Sequence, residues 1–340
     1  MLLSRKSGCK GTKKKSKGKE KSEKNTPNPA FFSCKALFFA IFLYFCRRMK
    51  DISILIPTYN GICTRLVSDL QTQAEKIGIA YEIIVADDGS TDTACIEANR
   101  AINTLSHCRY VERPENVGRA AIRNFLASQA IHLWLLFIDS DMTVCRDNYL
   151  LRYADADDVQ TDAILYGGVT IGQLIPGNLR AMYEKAVEHE HTPEQRRLSP
   201  YHDFHTANFL VPRQLMLKYP FDQRFRHYGY EDVLFGKQME QHAIPIVHID
   251  NPLSFEIFES NADFVSKTEE GLRTLHQFRD ELQDFSRLLT VSSSSMVSLL
   301  RPLICLYHSM SRNIVRQKLT GAHPSLFLFK LYKLGYFLSL

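Results

Sequence analysis

Three acidic groups in this chain stand where a strand or turn would present them to a ligand. Asp87 and Asp88 lie in Ala86-Asp-Asp-Gly-Ser-Thr-Asp92, Asp139 and Asp141 close an apolar run, and Glu231-Asp232 follow Gly229-Tyr230. Asp139 and Asp141, one residue apart at the mouth of a hydrophobic stretch, repel each other and lose hydration. They therefore need a cation or hydrogen-bond donors. A hard divalent metal with oxygen ligands, itself holding a diphosphate, meets that need. The plainer alternative is a pair of loop acids after a strand, with Asp141 capping the next helix. Glu231-Asp232 would open a helix, where the macrodipole favours an acid whatever its chemistry.

The elements that must position these residues alternate between strand-like and helix-like stretches. Strands are expected over 52–56, 81–86, 108–111 and 133–138, and helices over 66–77, 92–102 and 119–130. Such βαβα alternation implies a parallel sheet with right-handed crossovers and its loops gathered on one edge. The run 133–138 has the continuous apolar character of a strand buried on both faces, and ligands bind at the carboxyl ends of such strands. Further on, helices are expected over 148–156, 179–190, 213–219 and 230–241, and strands over 163–169, 204–211 and 245–249. Apolar residues about 3.5 apart predict one long helix over 264–289, with Ser266-x-x-Glu269 as a capping box near its start.

The net charge of +5 hides an uneven distribution. Residues 1–50 carry 14 Lys or Arg against two Glu, residues 285–340 carry seven basic residues and no acid, and the middle is left at −14. An acidic body with basic ends argues against broad nucleic-acid binding and suggests that the ends meet an anionic surface. The eight cysteines form no Cys-x-x-Cys pair, which fits a reducing compartment better than a disulfide framework or zinc site. Residues 1–30 have the composition of a disordered tail. The apolar stretch 36–46 is short for a spanning helix and reads as an interfacial anchor, or residues 1–48 come from an upstream start assignment. Residues 291–340 mix Arg and Lys with leucines and aromatics, a pattern that predicts basic amphipathic helices on a membrane surface, or packed on the body.

Five motifs in order carry a resemblance. These are Asp51-Ile-Ser-Ile-Leu-Ile-Pro-Thr-Tyr-Asn60, Ala86-Asp-Asp-Gly-Ser-Thr-Asp92, Asn116-Val-Gly-Arg-Ala-Ala-Ile-Arg-Asn124, Asp139-Ser-Asp141 and Gly229-Tyr-Glu-Asp232. Each is weak alone; together they resemble a family 2 glycosyltransferase of the GT-A fold. The resemblance implies an α/β domain over 50–255, with a Rossmann-like, mostly parallel central sheet flanked by helices. Beyond the resemblance, the chain's own periodicity and composition predict a long helix over 256–290 and C-terminal amphipathic helices over 291–340.

The resemblance also implies inverting, metal-assisted transfer of a sugar from a nucleotide-sugar donor to a hydroxyl of a glycan or lipid-linked acceptor. Pro57, Tyr59 and Asp87 are carried over as base contacts. Tyr59 can cover a base ring, and Asp87 or Asp88 can accept an imide proton. Asp88 and Gly89 also read as tight-turn residues. Arg119 opens a helix near the same edge and can pair with base or phosphate; Arg123, one turn later, reads as a solvated helix residue. By the match to the DxD motif, Asp139 reaches the ribose or metal, and Asp141 binds the Mn²⁺ or Mg²⁺ that bridges the diphosphate. Asp232 becomes the general base and Glu231 an acceptor contact. His248 would complete the metal shell, unless it is an ordinary half-buried strand histidine. His202, His205 and Asn208 precede a strand that could line the acceptor cleft, with no motif to fix their roles. The expected setting is cytoplasmic, at the inner face of a membrane, with contact through the C-terminus.

Two rivals remain at this level. A nucleotidyltransferase would want a Gly-rich basic loop where Pro57-Thr-Tyr-Asn60 stands. A membrane-associated carbohydrate-binding or scaffolding protein with a decayed site would have lost acids that are all present here.

Overall fold

Branched and aromatic residues dominate the first strands because both of their faces are covered. In the computed structural model, which describes residues 49, 51–156 and 162–340, the expected alternation appears as β1 (Asp51–Thr58), α1 (Thr64–Ile77), β2 (Ala80–Asp87), α2 (Thr93–Arg100), β3 (Cys108–Glu112), α3 (Arg119–Gln129) and β4 (Trp134–Ile138). The expectations for residues 1–48 lie outside the described residues. Leu55, Ile84, Leu135 and Phe137 pack with Ile122 and Leu126 of α3. Their neighbours Ile54, Ile83, Leu136 and Ile138 pack with Leu66, Val67 and Leu70 of α1 on the opposite face. Residues 135–138 of β4 are fully buried, as a two-faced strand requires, whereas Leu133 lies outside the strand and is exposed.

The chain continues through β5 (Met142–Thr143), α4 (Tyr149–Ala154), β6 (Ile164–Tyr166), β7 (Val169–Ile171), α5 (Leu179–Val187), α6 (Pro193–Arg196), β8 (Asn208–Pro212), α7 (Arg213–Lys218), α8 (Glu231–Gln241), β9 (Ile246–His248) and β10 (Leu253–Phe255). The central sheet has the order β3-β2-β1-β4-β8-β6-β9. Only β8 runs against its neighbours, so the sheet is mostly parallel. A small second sheet, β5-β10-β7, lies beyond it.

Three expectations need correcting. The strand expected over 163–169 breaks at Gly167-Gly168, where Gly168 has φ +86° and a Cβ would sit 2.1 Å from Arg196 Nη1. The strand expected from Phe204 starts only at Asn208, whose buried amide bonds Tyr149, Tyr153, Gly168 and Asn251. Asn208 is therefore a core residue, and His202 stacks on Phe285.

The long helix over 264–289 is three pieces, α9 (Asn261–Gln277), α10 (Arg279–Leu282) and α11 (Arg287–Ser292), with Asp284 at φ +70° between the last two. Ser260, not Ser266, caps α9 by accepting the Asp263 N–H. Ser266 and Glu269 sit inside α9 and hold Arg316 instead, at 3.0 and 2.9 Å. Arg316 belongs to α12 (Ser295–Thr320), which packs with α13 (Leu326–Leu338) onto α9 through Val265, Val315, Leu319, Phe329 and Tyr332.

Candidate active site

The turns after β1 and β2 are tied together by one side chain. Asn60, held at φ +50°, donates its backbone N–H to Ser90 Oγ at 2.7 Å. Its Oδ1 accepts from the N–H groups of Thr91 and Asp92. This staple leaves Tyr59 half exposed at the end of β1, with Pro57 partly buried. Asp87 accepts from the Ser90 N–H and the Tyr110 hydroxyl. Asp88 accepts from the N–H groups of Val117 and Gly118 at 3.1 and 3.0 Å. Burial pushes its carboxyl above the ordinary range although these two bonds oppose the shift. Asp88 thus clamps the second turn to the loop that opens α3. Gly89 permits that approach: its φ is +73°, and a Cβ would lie 2.5 Å from the Glu115 carbonyl carbon.

Arg119 and Arg123 present the same face of α3, one turn apart. Arg123 is not solvated as expected; it is 1% exposed. Its Nη2 donates to Asp139 at 2.6 Å and its Nη1 to Glu231 at 3.3 Å. One guanidinium therefore joins the acid at the end of β4 to the acid at the start of α8. Arg119 lies over the Tyr228 ring and 3.7 Å from Glu231. Burial lowers its pKa, but Glu231, Tyr228, Asp139 and Asp141 outweigh that and keep it firmly charged. Asp141 is different. Burial first, and Asp139 second, push its carboxyl well above the usual range, against the pull of Arg180 and Arg119. A further positive charge beside Asp141 would restore its ionised form.

Glu231-Asp232 are delivered by a strained entry to α8. Gly229 has φ +93° and Tyr230, without glycine's freedom, φ +70°; such non-glycine residues store strain at sites that need it. Glu231 is buried, and burial raises its carboxyl pKa despite Arg119 and Arg123. Asp232 accepts the Val233 N–H at 2.8 Å and meets His205 Nδ1 at 3.2 Å. Burial raises the Asp232 carboxyl, but the hydrogen bond and charge of His205 outweigh it and hold the acid below its ordinary value. The converse applies to His205: burial lowers it, and Asp232 with Glu184 and Asp203 lifts it above 6.5.

His248 does not join this group. Its Nδ1 accepts from Arg196 Nε and its Nε2–H donates to the Pro200 carbonyl. Burial, reinforced by Arg196 and Arg197, lowers its pKa to about 4. Both nitrogens are occupied, so the structure favours the strand-histidine alternative. Among the described residues, no group of three or more His, Cys, Asp or Glu side chains gathers as a metal cage.

Sequence reasoning missed Arg123 and left His205 without a role. A signal existed for Arg123, which falls in phase with the buried Ala120 and Ala127 of α3. None existed for His205, whose partner is 27 residues away.

Residues 53–219 match the family model described as Glycosyl transferase family 2. An uncharacterized glycosyltransferase of Haemophilus influenzae is 33% identical over 102 residues, 29% of this chain and 39% of that protein. Chondroitin synthase of Pasteurella multocida is 23% identical over 219 residues, 55% of this chain and 23% of the synthase. The mannosyltransferase PcManGT from Pyrobaculum calidifontis, solved with GDP-Man and Mn²⁺, superposes with a TM-score of 0.49 at 12% identity, covering 91% of this chain and 95% of that one. The match places residues 53–219 in glycosyltransferase family 2. The chain spans well under two thirds of the length of the curated relatives named here.

Proposed function

We propose that this protein transfers a sugar, with inversion, from a nucleotide-sugar donor to a hydroxyl of a glycan or lipid-linked acceptor. One observation carries the reading: Arg123 bonds Asp139 and Glu231 together, so the donor-side and acceptor-side acids share one wall. In this reading Tyr59 covers the base, with Pro57 and the Asp87-Asp88 turn beneath it. Arg119 faces the diphosphate, and Asp139 is turned to the ribose. Asp232 accepts the proton of the attacking hydroxyl as the new bond to C1 forms and the bond to the nucleoside diphosphate breaks. Glu231, held by both arginines, orients the acceptor side.

The residues fit a divalent metal carried with the donor rather than a resident one. Asp141, with Asp139 beside it, offers hard oxygen ligands and a carboxyl short of positive charge. Mn²⁺ or Mg²⁺ held there would supply neutralisation of the leaving diphosphate. His248 is left out of this shell. The same reading puts the enzyme at the inner face of a membrane, in contact through its C-terminus.

The test is nucleoside diphosphate release from a panel of UDP- and GDP-sugars with either metal. Asp232→Asn should lower release by about 10²- to 10⁴-fold while leaving donor binding intact. Release that survives Asp232→Asn would sink the assignment. Glycan binding without release from any donor would favour the carbohydrate-binding rival.

A further inference from the structure

Helix α12 is amphipathic twice over. Its inward seam, Val297, His308, Val315 and Leu319, is buried. The opposite side is apolar as well: Met296, Leu299, Leu303, Leu306, Met310 and Ile314 recur at three- and four-residue steps, and all are exposed. Leu299 is 80% and Met310 77% exposed. At 1.5 Å per residue this stripe runs for about 27 Å along one face. Contiguous exposed apolar surface of this kind marks an interaction site.

The charges say what covers it. Two cations of this region pair with acids of the body: Arg316 with Glu269, and the exposed Arg287 with Glu190. Among the described residues, Arg312, Lys318 and Lys330 have no ion pair, and residues 285–340 contain no acid to offer one. Lys318 stands one turn beyond Ile314, on the line of the stripe, and α13 turns out Phe327 and Lys330 beside each other. The same segment of a second copy has no acid to offer these cations either, since residues 285–340 contain neither Asp nor Glu. No helix among the described residues is long and apolar enough to cross a membrane. A helix with an apolar face and uncompensated cations, long but too polar to span, lies in the plane of an anionic bilayer.

We propose that the outward stripe of α12 is the surface by which this protein sits on an anionic lipid bilayer, with Lys318 and Lys330 at the headgroups. The inference sharpens the membrane location given above and is independent of the transfer chemistry. The hairpin stays clamped to the body while bound, because the contacts of Val315, Leu319 and Arg316 face the other way.

The experiment is co-sedimentation of the full chain with phosphatidylcholine vesicles, with and without phosphatidylglycerol, at low and high salt. The wild-type protein should bind the anionic vesicles and release in salt. The variant Leu299→Ser/Leu303→Ser/Leu306→Ser/Met310→Ser, altered only at exposed positions, should bind at least tenfold more weakly with an unchanged circular dichroism spectrum. Should that variant misfold, Arg312→Gln/Lys318→Gln/Lys330→Gln keeps the stripe and should lose the salt-sensitive part of binding. Equal binding by a folded variant and wild type, or no vesicle binding by wild type, overturns the proposal. So does a wild-type dimer that the serine variant abolishes without change in vesicle binding.

Discussion

Arg123 Nη2 lies 2.6 Å from Asp139 Oδ1, and the same guanidinium reaches Glu231 from its other nitrogen. The two acids are 92 positions apart in sequence and share one buried cation. Removing one partner of such a pair leaves an uncompensated charge. Arg123→Met should therefore lower the free energy of unfolding by about 3–5 kcal/mol, measured by urea denaturation. Arg123→Lys should recover only part of this, because an ammonium cannot serve both carboxylates with a planar fork. A wild-type midpoint in Arg123→Met would show that the contact contributes little.

Burial and the neighbouring Asp139 raise the Asp141 carboxyl above its ordinary range, and a metal held there would offset both, so its removal should be felt in donor binding. With Mn²⁺ present, Asp141→Asn should weaken binding of a nucleoside diphosphate at least tenfold, or about 1.4 kcal/mol. Without metal, the variant and wild type should bind alike. Isothermal titration in both conditions makes the comparison, and an equal loss in both would point to folding rather than metal.

His205 holds the Asp232 carboxyl below its ordinary pKa. The base works only when ionised, so the acid limb of the kcat/KM profile should lie where Asp232 takes up a proton. His205→Ala removes the hydrogen bond and the charge, the pKa rises, and the acid limb should move to higher pH. His205→Gln keeps a hydrogen-bond donor without the charge and should move it less. A lower rate with an unmoved limb would mean that His205 merely fills space.

Gly118 and Gly78 separate two costs of a methyl group. Both have positive φ, +90° and +66°, but a Cβ at Gly118 would meet the Arg226 carbonyl oxygen at 2.6 Å, while at Gly78 nothing lies within 4 Å. Gly78→Ala should cost only the left-handed strain, about 1–2 kcal/mol. Gly118→Ala should cost clearly more and lower activity too, since Arg119 follows it directly. Equal losses in denaturant melts would rule out the Arg226 contact as a constraint.

The sequence by itself determined the alternation of elements from Asp51 to Ile138 and the places where acids meet turns. These follow from local periodicity and from the chemistry of Asp, Gly and Pro in tight turns, which act over a few residues. It also showed that the C-terminal helices are basic and apolar. Only the tertiary structure decided the partners. His248 looked available on a strand end, but Arg196 and Pro200 take both of its nitrogens. Arg123 looked like a surface residue, but burial with Asp139 and Glu231 makes it the link between two motifs. Long-range pairing depends on which side chains the sheet order brings together, and no spacing along the chain encodes that. The same limit holds for α12: its apolar residues were legible, but which of them face the body and which face outward was settled only when α9 took up one side.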